Sequence, residues 1–275
     1  MTTASVTRHI ERLIVPRLEQ LPVISYYAKI RGWPYVLSWI HRITGIMLVL
    51  YMLIHVYTLS FLRAPEAYDA KMRLLRLPVF VMLEWALAIP VIFHALNGGR
   101  LLLYEIFGVR KDEAMIRWVF GLSSLYVLLL GLMMVCGSQR VTPVFYWLTT
   151  LLAACILGYV IYTRIWKTDI TLGWKLQRIS GGFLLMMIPA HMLFMHLNLS
   201  MGHEAGVVIA RMQNIFIKIV DITLVISVLF HGGYGLLSIA KDYVFSKWLK
   251  TLFKAAVCAV MVFFGWIGTK LVILI

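Results

Sequence analysis

Long apolar stretches dominate this sequence and limit the folds that it can adopt. Seven of them each have close to the ~20 residues that a helix needs to cross the hydrocarbon core of a bilayer. They are residues 38–62, 78–107, 116–136, 144–165, 174–199, 216–243 and 252–275. We therefore predict an all-α integral membrane protein. Its helical bundle has about seven transmembrane helices, or five to seven if weak segments such as 116–136 and 252–275 are peripheral.

The composition supports this class and argues against a soluble domain. The 275 residues are 61% hydrophobic and only 14% charged, and the mean hydropathy is +0.87. So few polar residues cannot cover the surface of a soluble domain. The net charge of +14 does not indicate nucleic-acid binding, because the charges fall in short connections between apolar segments. We expect no cleavable signal peptide, since the first 35 residues contain no short apolar core.

Basic residues in the connections predict the orientation of the bundle. Connections on the side of the N-terminus carry thirteen: Arg8, Arg12, Arg17, Lys29, Arg31, Arg110, Lys111, Arg164, Lys167, Lys175, Lys241, Lys247 and Lys250. Connections on the opposite side carry seven: Arg63, Lys71, Arg73, Arg76, Arg140, Arg211 and Lys270. We therefore predict an N-terminus on the inner, cytoplasmic side of the membrane.

Two parts of the chain resemble each other. HRITGIMLVLYMLIH (41–55) matches QRISGGFLLMMIPAH (177–191), and FHALNGGRLLLYE (93–105) matches FHGGYGLLSIAKD (230–242). We predict two parallel three-helix repeats, because a linking transmembrane helix between them restores the orientation. The predicted regions are a basic N-terminal cytoplasmic segment 1–37, membrane repeat 1 at 38–136, the linking helix and loops 137–173, and membrane repeat 2 at 174–275.

Four histidines occupy matched places in these repeats. His55 and His191 are 136 positions apart, and His94 and His231 are 137 apart. At ~1.5 Å per residue, His55 lies roughly 10 Å and His94 roughly 24 Å below the outer surface, so the two levels differ by roughly 14 Å. We expect His55 to pair with His191 and His94 with His231. Two bis-histidine centres in a membrane indicate haem b, and the alternative is helix–helix hydrogen bonding.

Other polar residues suggest what surrounds these centres. His41, Arg100 and Arg178 fall toward the inner side, where haem propionates or a quinone carbonyl would need donors. His196 and His203 have no mate in the repeats and lie at or beyond an outer helix end. We expect these two to be interfacial.

The run Ser38-Trp39-Ile40-His41-Arg42-Ile43-Thr44-Gly45 resembles a known signature. It is similar to the S-x-x-H-R-x-[ST]-G element of the cytochrome b membrane-anchor subunits of succinate dehydrogenases and fumarate reductases. In that family the serine and arginine line the quinone site, which implies this role for Ser38 and Arg42. His94, followed by glycines and Arg100, resembles the haem-ligand helix of the same subunit.

The second half of the chain resembles the smaller anchor subunit of the family. There a haem-ligand histidine is followed eleven and twelve residues later by Asp-Tyr, and the tyrosine contacts quinone. His231 is followed by Asp242 and Tyr243 at this spacing. The resemblance therefore implies two anchor subunits fused in one chain, with Asp242 and Tyr243 at the quinone site.

The second histidine pair resembles a further variant of the family. His55 and His191 are similar to the extra ligand pair of one-subunit, two-haem anchors of the fumarate reductase type. Those anchors carry a glutamate two residues before the last haem ligand, which serves transmembrane proton movement. This chain has Leu229 at that position, so the resemblance does not extend to such coupling.

Two acidic residues are candidates for a second, outer quinol site. Glu84 falls six residues inside an apolar segment, where an ionisable group is costly and often functional. Glu66 lies in the preceding connection. The alternative for Glu84 is an ion pair with Arg73 or Arg76.

The resemblance implies an electron-transfer anchor in the bacterial inner (cytoplasmic) membrane. Expected cofactors are haem b, two groups or at least one, and ubiquinone or menaquinone. Expected partners are an iron–sulfur subunit, a flavoprotein subunit and membrane lipid, with no nucleic acid. Two alternatives stay open: a cytochrome b anchor of a hydrogenase or formate dehydrogenase, and a haem-free transporter with parallel repeats. Pro90 and Pro189 are possible helix breaks in the transporter reading.

Overall fold

The computed structural model describes residues 20–109, 111–136, 143–197 and 200–275. Within these ranges the chain forms eleven α-helices and one short 3-10 turn at Ser60–Arg63. The helices are α1 (Pro22–Arg31), α2 (Trp33–Leu59), α3 (Pro65–Leu75), α4 (Pro78–Phe107), α5 (Asp112–Cys136), α6 (Pro143–Ile165), α7 (Leu172–Leu197), α8 (Ser200–His203), α9 (Ala205–Met212), α10 (Ile215–Tyr243) and α11 (Lys247–Leu274). Seven of these, α2, α4, α5, α6, α7, α10 and α11, are long and apolar enough to cross a membrane, which confirms the predicted fold class.

Two of the long helices begin five residues earlier than the apolar stretches predict. Helix α2 starts at Trp33, because Gly32 adopts a left-handed φ of 79° that ends α1, and Pro34 favours a new first turn. Helix α11 starts at Lys247, where the Ser246 side chain accepts a hydrogen bond from a backbone N–H of the first turn. Polar first turns therefore extend both spans beyond their apolar cores.

Short helices that the sequence analysis treats as loops cover one end of the bundle. We call α3, α8 and α9 the outer cap, and the opposite end, where α2 begins, the inner end; these names follow the predicted orientation. Tyr68 and Met72 of α3 pack with Met212 of α9 and Leu271 of α11. The Tyr68 hydroxyl donates to the Gly202 carbonyl at 2.6 Å. Burial raises the pKa of Tyr68 to about 12, so this hydroxyl stays protonated and remains a donor.

Neighbouring helices approach closely where one presents a glycine. On α5, Gly131 lies against Trp85 of α4, and a Cβ at Gly131 would meet the Trp85 Nε1 at 2.8 Å. The same indole N–H donates to the Val127 carbonyl at 3.0 Å. Small residues of this kind are the usual means of close helix contact in membranes. Gly131 thus allows α5 to pack closely against α4 within the first repeat.

Two ion pairs link the repeats in a crossed pattern. The Arg42 guanidinium of α2 lies 3.1 Å from the Asp242 carboxylate of α10. The Arg178 guanidinium of α7 lies 2.6 Å from the Glu105 carboxylate of α4. Arg42 and Arg178 are repeat mates, and so are Glu105 and Asp242. Both pairs lie at the inner end, so the two repeats run in the same direction, as the prediction of parallel repeats requires.

Some sequence-based expectations remain predictions. The boundaries of the four predicted regions and the cytoplasmic side of the N-terminus are among them. Five residues of the charge count lie outside the described residues: Arg8, Arg12, Arg17, Arg110 and Arg140.

Candidate cofactor and quinone site

A cavity of about 1630 Å³ runs between the two repeats. A site for one small molecule usually has a volume of about 300–1,000 Å³, so this cavity is larger than a site for a single small ligand. Most of the residues singled out in the sequence line it: Ser38, His41, Arg42, His55, Glu84, His94, Arg178, His191, His231 and Asp242. Glu66, Arg100 and Tyr243 are not among the lining residues.

The four repeat-matched histidines meet as two pairs inside this cavity. We call His94 and His231 the inner pair and His55 and His191 the outer pair. The ring centroids of the inner pair are 6.5 Å apart with the planes at 90°. Those of the outer pair are 6.1 Å apart with the planes at 82°. The structure therefore brings together the histidines that the depth argument paired.

These separations fit two imidazoles that share one metal ion. An imidazole nitrogen bonds a metal at about 2 Å and lies about 1.2 Å from its own ring centroid, so opposite ligands have centroids about 6 Å apart. Both pairs have this spacing. A direct hydrogen bond between the two rings would bring the centroids closer to about 5 Å. The ring geometry thus fits bis-histidine ligation of haem iron.

The His94 ring is fixed through its Nδ1 atom. This atom lies 3.0 Å from the His41 carbonyl and 3.3 Å from the Thr44 hydroxyl. An Nδ1–H that donates to a carbonyl leaves the Nε2 lone pair free for a metal, the arrangement commonly found around metal-binding histidines. Helix α2 thus fixes the orientation of the His94 ring.

The second repeat reproduces these contacts around His231. The Ser180 hydroxyl lies 3.3 Å from its Nδ1, and the Gln177 carbonyl also interacts with the ring. Ser180 is the repeat mate of Thr44, and Gln177 is the repeat mate of His41. Each ring of the inner pair is therefore held by the first membrane helix of its own repeat.

A glycine in each repeat lets these rings lie on the helix backbone. A Cβ at Gly45 would meet the His94 Cε1 at 2.9 Å, and one at Gly181 would meet the His231 Cε1 at 3.1 Å. His55 and His191 each lie ten residues beyond these glycines on the same helices. At ~1.5 Å per residue the two levels are roughly 15 Å apart, in agreement with the depth predicted from the sequence.

His41 lies directly beside the inner pair. Its ring stacks on His94 with centroids 3.9 Å apart and planes at 6°. Its Nδ1 is buried and has no hydrogen-bond partner among the described residues. An unpaired buried polar atom costs about 1–3 kcal/mol, and a carboxylate in the cavity would remove this cost. The position fits the predicted contact with a haem propionate.

The two arginines predicted beside the inner pair have different environments. Arg100 is buried, donates to Asp112 at 2.6 Å and to Asn97 at 2.9 Å, and does not line the cavity. Its charge is already compensated between α4 and α5, so the structure does not bring it to a propionate. Arg178 lines the cavity and stacks on the Trp174 ring at 4.8 Å.

The residues predicted to bind quinone converge at the inner end. The Arg42 guanidinium donates to the Tyr243 hydroxyl and, at 3.1 Å, to the Asp242 carboxylate. The Trp39 ring packs against Tyr243 with centroids 5.4 Å apart. Ser38 lies one helical turn before Arg42 and lines the cavity. We call Ser38, Arg42, Asp242 and Tyr243 the inner corner.

The outer pair is supported by helices that carry neither of its histidines. The Tyr126 hydroxyl of α5 donates to the Pro189 carbonyl at 2.6 Å. The Tyr146 hydroxyl of α6 donates to the Ala190 carbonyl at 2.7 Å. Both acceptors immediately precede His191, so these tyrosines fix the segment of α7 that presents it.

The rings of the outer pair have few polar contacts of their own. His55 stacks with Tyr51 at 5.7 Å, and His191 packs against Trp147 at 5.9 Å. The His191 Nδ1 is buried without a hydrogen-bond partner among the described residues. The hydroxyl and carbonyl pattern of the inner pair is therefore not repeated for His191.

The expectation that His196 is interfacial was wrong. His196 is only 3% exposed, and its neighbour Met195 lies close to Gly202 of the outer cap. Its Nε2 lies 3.9 Å from the Glu84 carboxylate. His203, also expected at the interface, lines the cavity.

The two acidic candidates for an outer site lie apart. Glu84 lines the cavity, whereas Glu66 is exposed in the first turn of α3 and is not a lining residue. Glu84 lies beside a histidine of α7 and not beside Arg76, which instead lies 4.0 Å from Glu204. The structure thus keeps Glu84 and not Glu66 as a cavity residue.

Two further charged residues line the cavity near the outer pair, and sequence reasoning missed them. Asp221 lies ten residues before His231, as Glu84 lies ten residues before His94. The repeat therefore contained a signal for Asp221. Arg211 was counted as a loop charge, and only the packing of the outer cap places it in the cavity.

Residues 25–130 match the family model described as succinate dehydrogenase/fumarate reductase transmembrane subunit. The chain is also 35% identical over 104 residues to the succinate dehydrogenase 2 membrane subunit SdhC of Mycobacterium tuberculosis (strain ATCC 25618 / H37Rv), a match that covers 36% of this chain and 74% of that protein. This chain belongs to the succinate dehydrogenase/fumarate reductase membrane-subunit family. No solved structure matches it.

Membership has direct consequences for this anchor subunit. A membrane subunit of a succinate dehydrogenase complex has soluble partner subunits. The family match contains His55 and His94 and ends before repeat 2, so His191 and His231 are related to them only through the internal repeat. Membership favours the succinate dehydrogenase prediction over the hydrogenase and formate dehydrogenase alternatives.

The transporter alternative depended on broken helices. Helices α4 and α7 continue through Pro90 and Pro189 without interruption. Transporter sites of the kind considered are typically formed by helices interrupted near the midplane. The two prolines therefore give no support to a transporter.

Proposed function

We propose that this anchor subunit carries electrons between an iron–sulfur subunit and membrane quinone through two haem b groups. The proposal depends on one observation, the two histidine pairs with ring separations of 6.5 and 6.1 Å in one cavity. Each pair takes one histidine from each repeat. Because both levels join histidines at matched places of the two repeats, the arrangement supports ligation over packing alone.

The residues that would hold each group can be named. His94 and His231 would ligate the inner haem, with His41 and Arg178 as donors to its propionates. His55 and His191 would ligate the outer haem. When bound, the two groups supply one-electron carriers at two depths in the bundle. The protein supplies the ligands, fixes their ring orientation and excludes water.

The inner corner is the proposed quinone site. Arg42 and Tyr243 would donate hydrogen bonds to a quinone carbonyl, and these bonds strengthen as negative charge develops on the oxygen. Asp242 holds the Arg42 side chain at 3.1 Å. Half of the Asp242 side chain is exposed, so it is the group of the corner through which a proton can reach the quinone oxygen.

The partners follow from the same proposal. A flavoprotein subunit oxidises succinate or reduces fumarate, and an iron–sulfur subunit binds the basic inner end, to which Lys241, Lys247 and Lys250 contribute. Glu84 stays a candidate for a second, outer quinol site. The complex resides in the bacterial inner membrane with the N-terminus of the anchor in the cytoplasm.

Haem content tests the central proposal. Purified protein should contain two haem b groups per chain by pyridine haemochrome assay and reduced-minus-oxidised spectra. His55→Ala or His191→Ala should remove one group, and His94→Ala or His231→Ala the other. His203→Ala is the control, since this cavity histidine has no mate in the repeats, and it should retain both groups. A wild-type protein without haem absorbance would contradict the proposal.

The assignment of quinone to the inner corner can be tested by comparing Arg42 with its repeat mate Arg178. Arg42→Gln should raise KM for quinone about 10- to 100-fold in the assembled complex, because a hydrogen bond from a charged donor contributes about 1.5–3 kcal/mol. Arg178→Gln removes the same charge from the other crossed ion pair, but as a proposed propionate donor it should change the content or potential of the inner haem rather than this KM. Haem content is measured in both variants. Equal rises in KM would contradict the assignment of quinone to the inner corner.

A further inference from the structure

Arg211 projects from the outer cap into the cavity. It lies on α9, is among the lining residues, and belongs to the short helix that packs against α3 and α11. Its Nε and Nη1 atoms are buried and have no hydrogen-bond partner among the described residues. Two of the three guanidinium nitrogens therefore lack a partner within the described part of the chain.

The neighbours of Arg211 do not compensate its charge. Arg211 lies within electrostatic range of Asp221, Tyr68 and His191. No ion pair within 4.0 Å joins it to Asp221 in the described part of the chain, and the Tyr68 hydroxyl already donates to the Gly202 carbonyl. Burying a charge without a partner costs several kcal/mol. An anionic ligand would offset that cost.

The chemistry of the guanidinium indicates which anion it would bind. Its planar set of donors matches the two oxygens of a carboxylate. The cavity wall also carries Glu84 and, within electrostatic range of Arg211, Asp221, and these acids would repel a carboxylate if no cation were present. Arg211 is placed where it could offset that repulsion at the level of His191.

We propose that Arg211 binds a propionate carboxylate of the outer haem. This inference rests on the proposed function, because it requires a haem at the outer pair. It implies that the outer haem directs its carboxylates toward the outer cap. The inner haem would direct its own toward His41 and Arg178 at the inner end, so the two groups would face opposite ends of the bundle.

Potentiometric titration of the two haems in the full-length protein tests this inference. Arg211→Gln should lower the midpoint potential of the outer haem or remove that haem, because the propionate left without its cation would stabilise the oxidised form. The inner haem should keep its content and potential. Arg211→Lys should retain the outer haem with an intermediate potential. Arg76→Gln is the matched control, an exposed arginine at the same end of the bundle that lies near Glu204, and should change neither haem.

Three results would overturn the inference without contradicting the proposed function. The first is an Arg211→Gln variant whose outer-haem content and potential match those of wild type. Restoration of wild-type values by adding Asp221→Asn would identify Asp221 as the true partner. Loss of both haems in Arg211→Gln and Arg211→Lys alike would indicate a structural role. The proposed function itself fails in the wild type, before any variant is made, if no haem is found there.

Discussion

The inner and outer histidine pairs are built in different ways. Each inner ring is held by a carbonyl, a hydroxyl and a glycine of the neighbouring helix in its own repeat. The outer pair depends on helices that provide no ligand, through Tyr126, Tyr146 and Trp147. The inner level is thus a property of each repeat. The outer level also requires α5 and the linking helix α6 to pack against α7.

The largest expected difference between the two pairs concerns the glycines under the inner rings. Gly45→Val or Gly181→Val should displace the adjacent ring, because even a Cβ would approach it to 2.9 or 3.1 Å. We expect haem content to fall from two groups per chain to one, with the outer group retained. The pyridine haemochrome assay and the reduced spectrum measure both.

The control for this experiment is Gly206→Val, where a Cβ meets nothing within 4 Å. It should retain both groups. If the glycine variants lost the outer group first, the contrast between the two levels would be wrong.

A smaller effect is expected from the hydroxyls that face the inner rings. Thr44→Val and Ser180→Ala each remove a group 3.3 Å from an Nδ1. Loss of such an orienting partner typically costs about 10- to 100-fold in metal affinity. The rate of haem transfer to an excess of apomyoglobin, followed separately for each haem, should rise for the inner group only.

Thr223→Val is the matched control, since Thr223 donates only to the Ile219 carbonyl of its own helix. Unchanged transfer rates in both hydroxyl variants would mean that the backbone carbonyls alone orient the inner rings.

The smallest effect should come from the tyrosines behind the outer pair. Tyr126→Phe and Tyr146→Phe each remove one hydrogen bond to α7, worth about 0.5–1.5 kcal/mol. On heating, the outer haem should be released at a lower temperature than in wild type while the inner haem is unaffected. Tyr159→Phe on the exposed face of α6 should behave as wild type. An equal drop in the release temperature of the inner haem would indicate that the substitutions destabilise the whole bundle.

The sequence predicted those features that depend on distance along the chain. Apolar length identified the seven spans, and the repeat offset paired His55 with His191 and His94 with His231. It also contained the partners of the inner rings, since HRITG and QRISG include Thr44, Gly45 and their mates. Their contacts with the His94 and His231 rings are evident only from the packing of α4 and α10 beside those segments.

The features that sequence reasoning missed depend on packing between distant segments. The outer cap combines short amphipathic helices that look like polar loops when each is taken alone. Its packing buries His196, which was expected at the interface, and turns Arg211 into the cavity. Arg100 shows the opposite case. It was expected beside the inner pair, but it forms an ion pair with Asp112 at the start of α5 and does not line the cavity. Such outcomes require knowledge of neighbours that no local pattern supplies.

The crossed ion pairs have a consequence in terms of symmetry. Arg42 pairs with Asp242, whose repeat mate is Glu105, and Arg178 pairs with Glu105 itself. Repeat 1 therefore carries both members of a self-complementary charge pair, and so does repeat 2. Two copies of one half-length chain could make the same two bonds across a twofold axis, as subunits of a symmetric dimer do. In this respect the single polypeptide has the interface of a dimer, with a linking helix joining the two subunits.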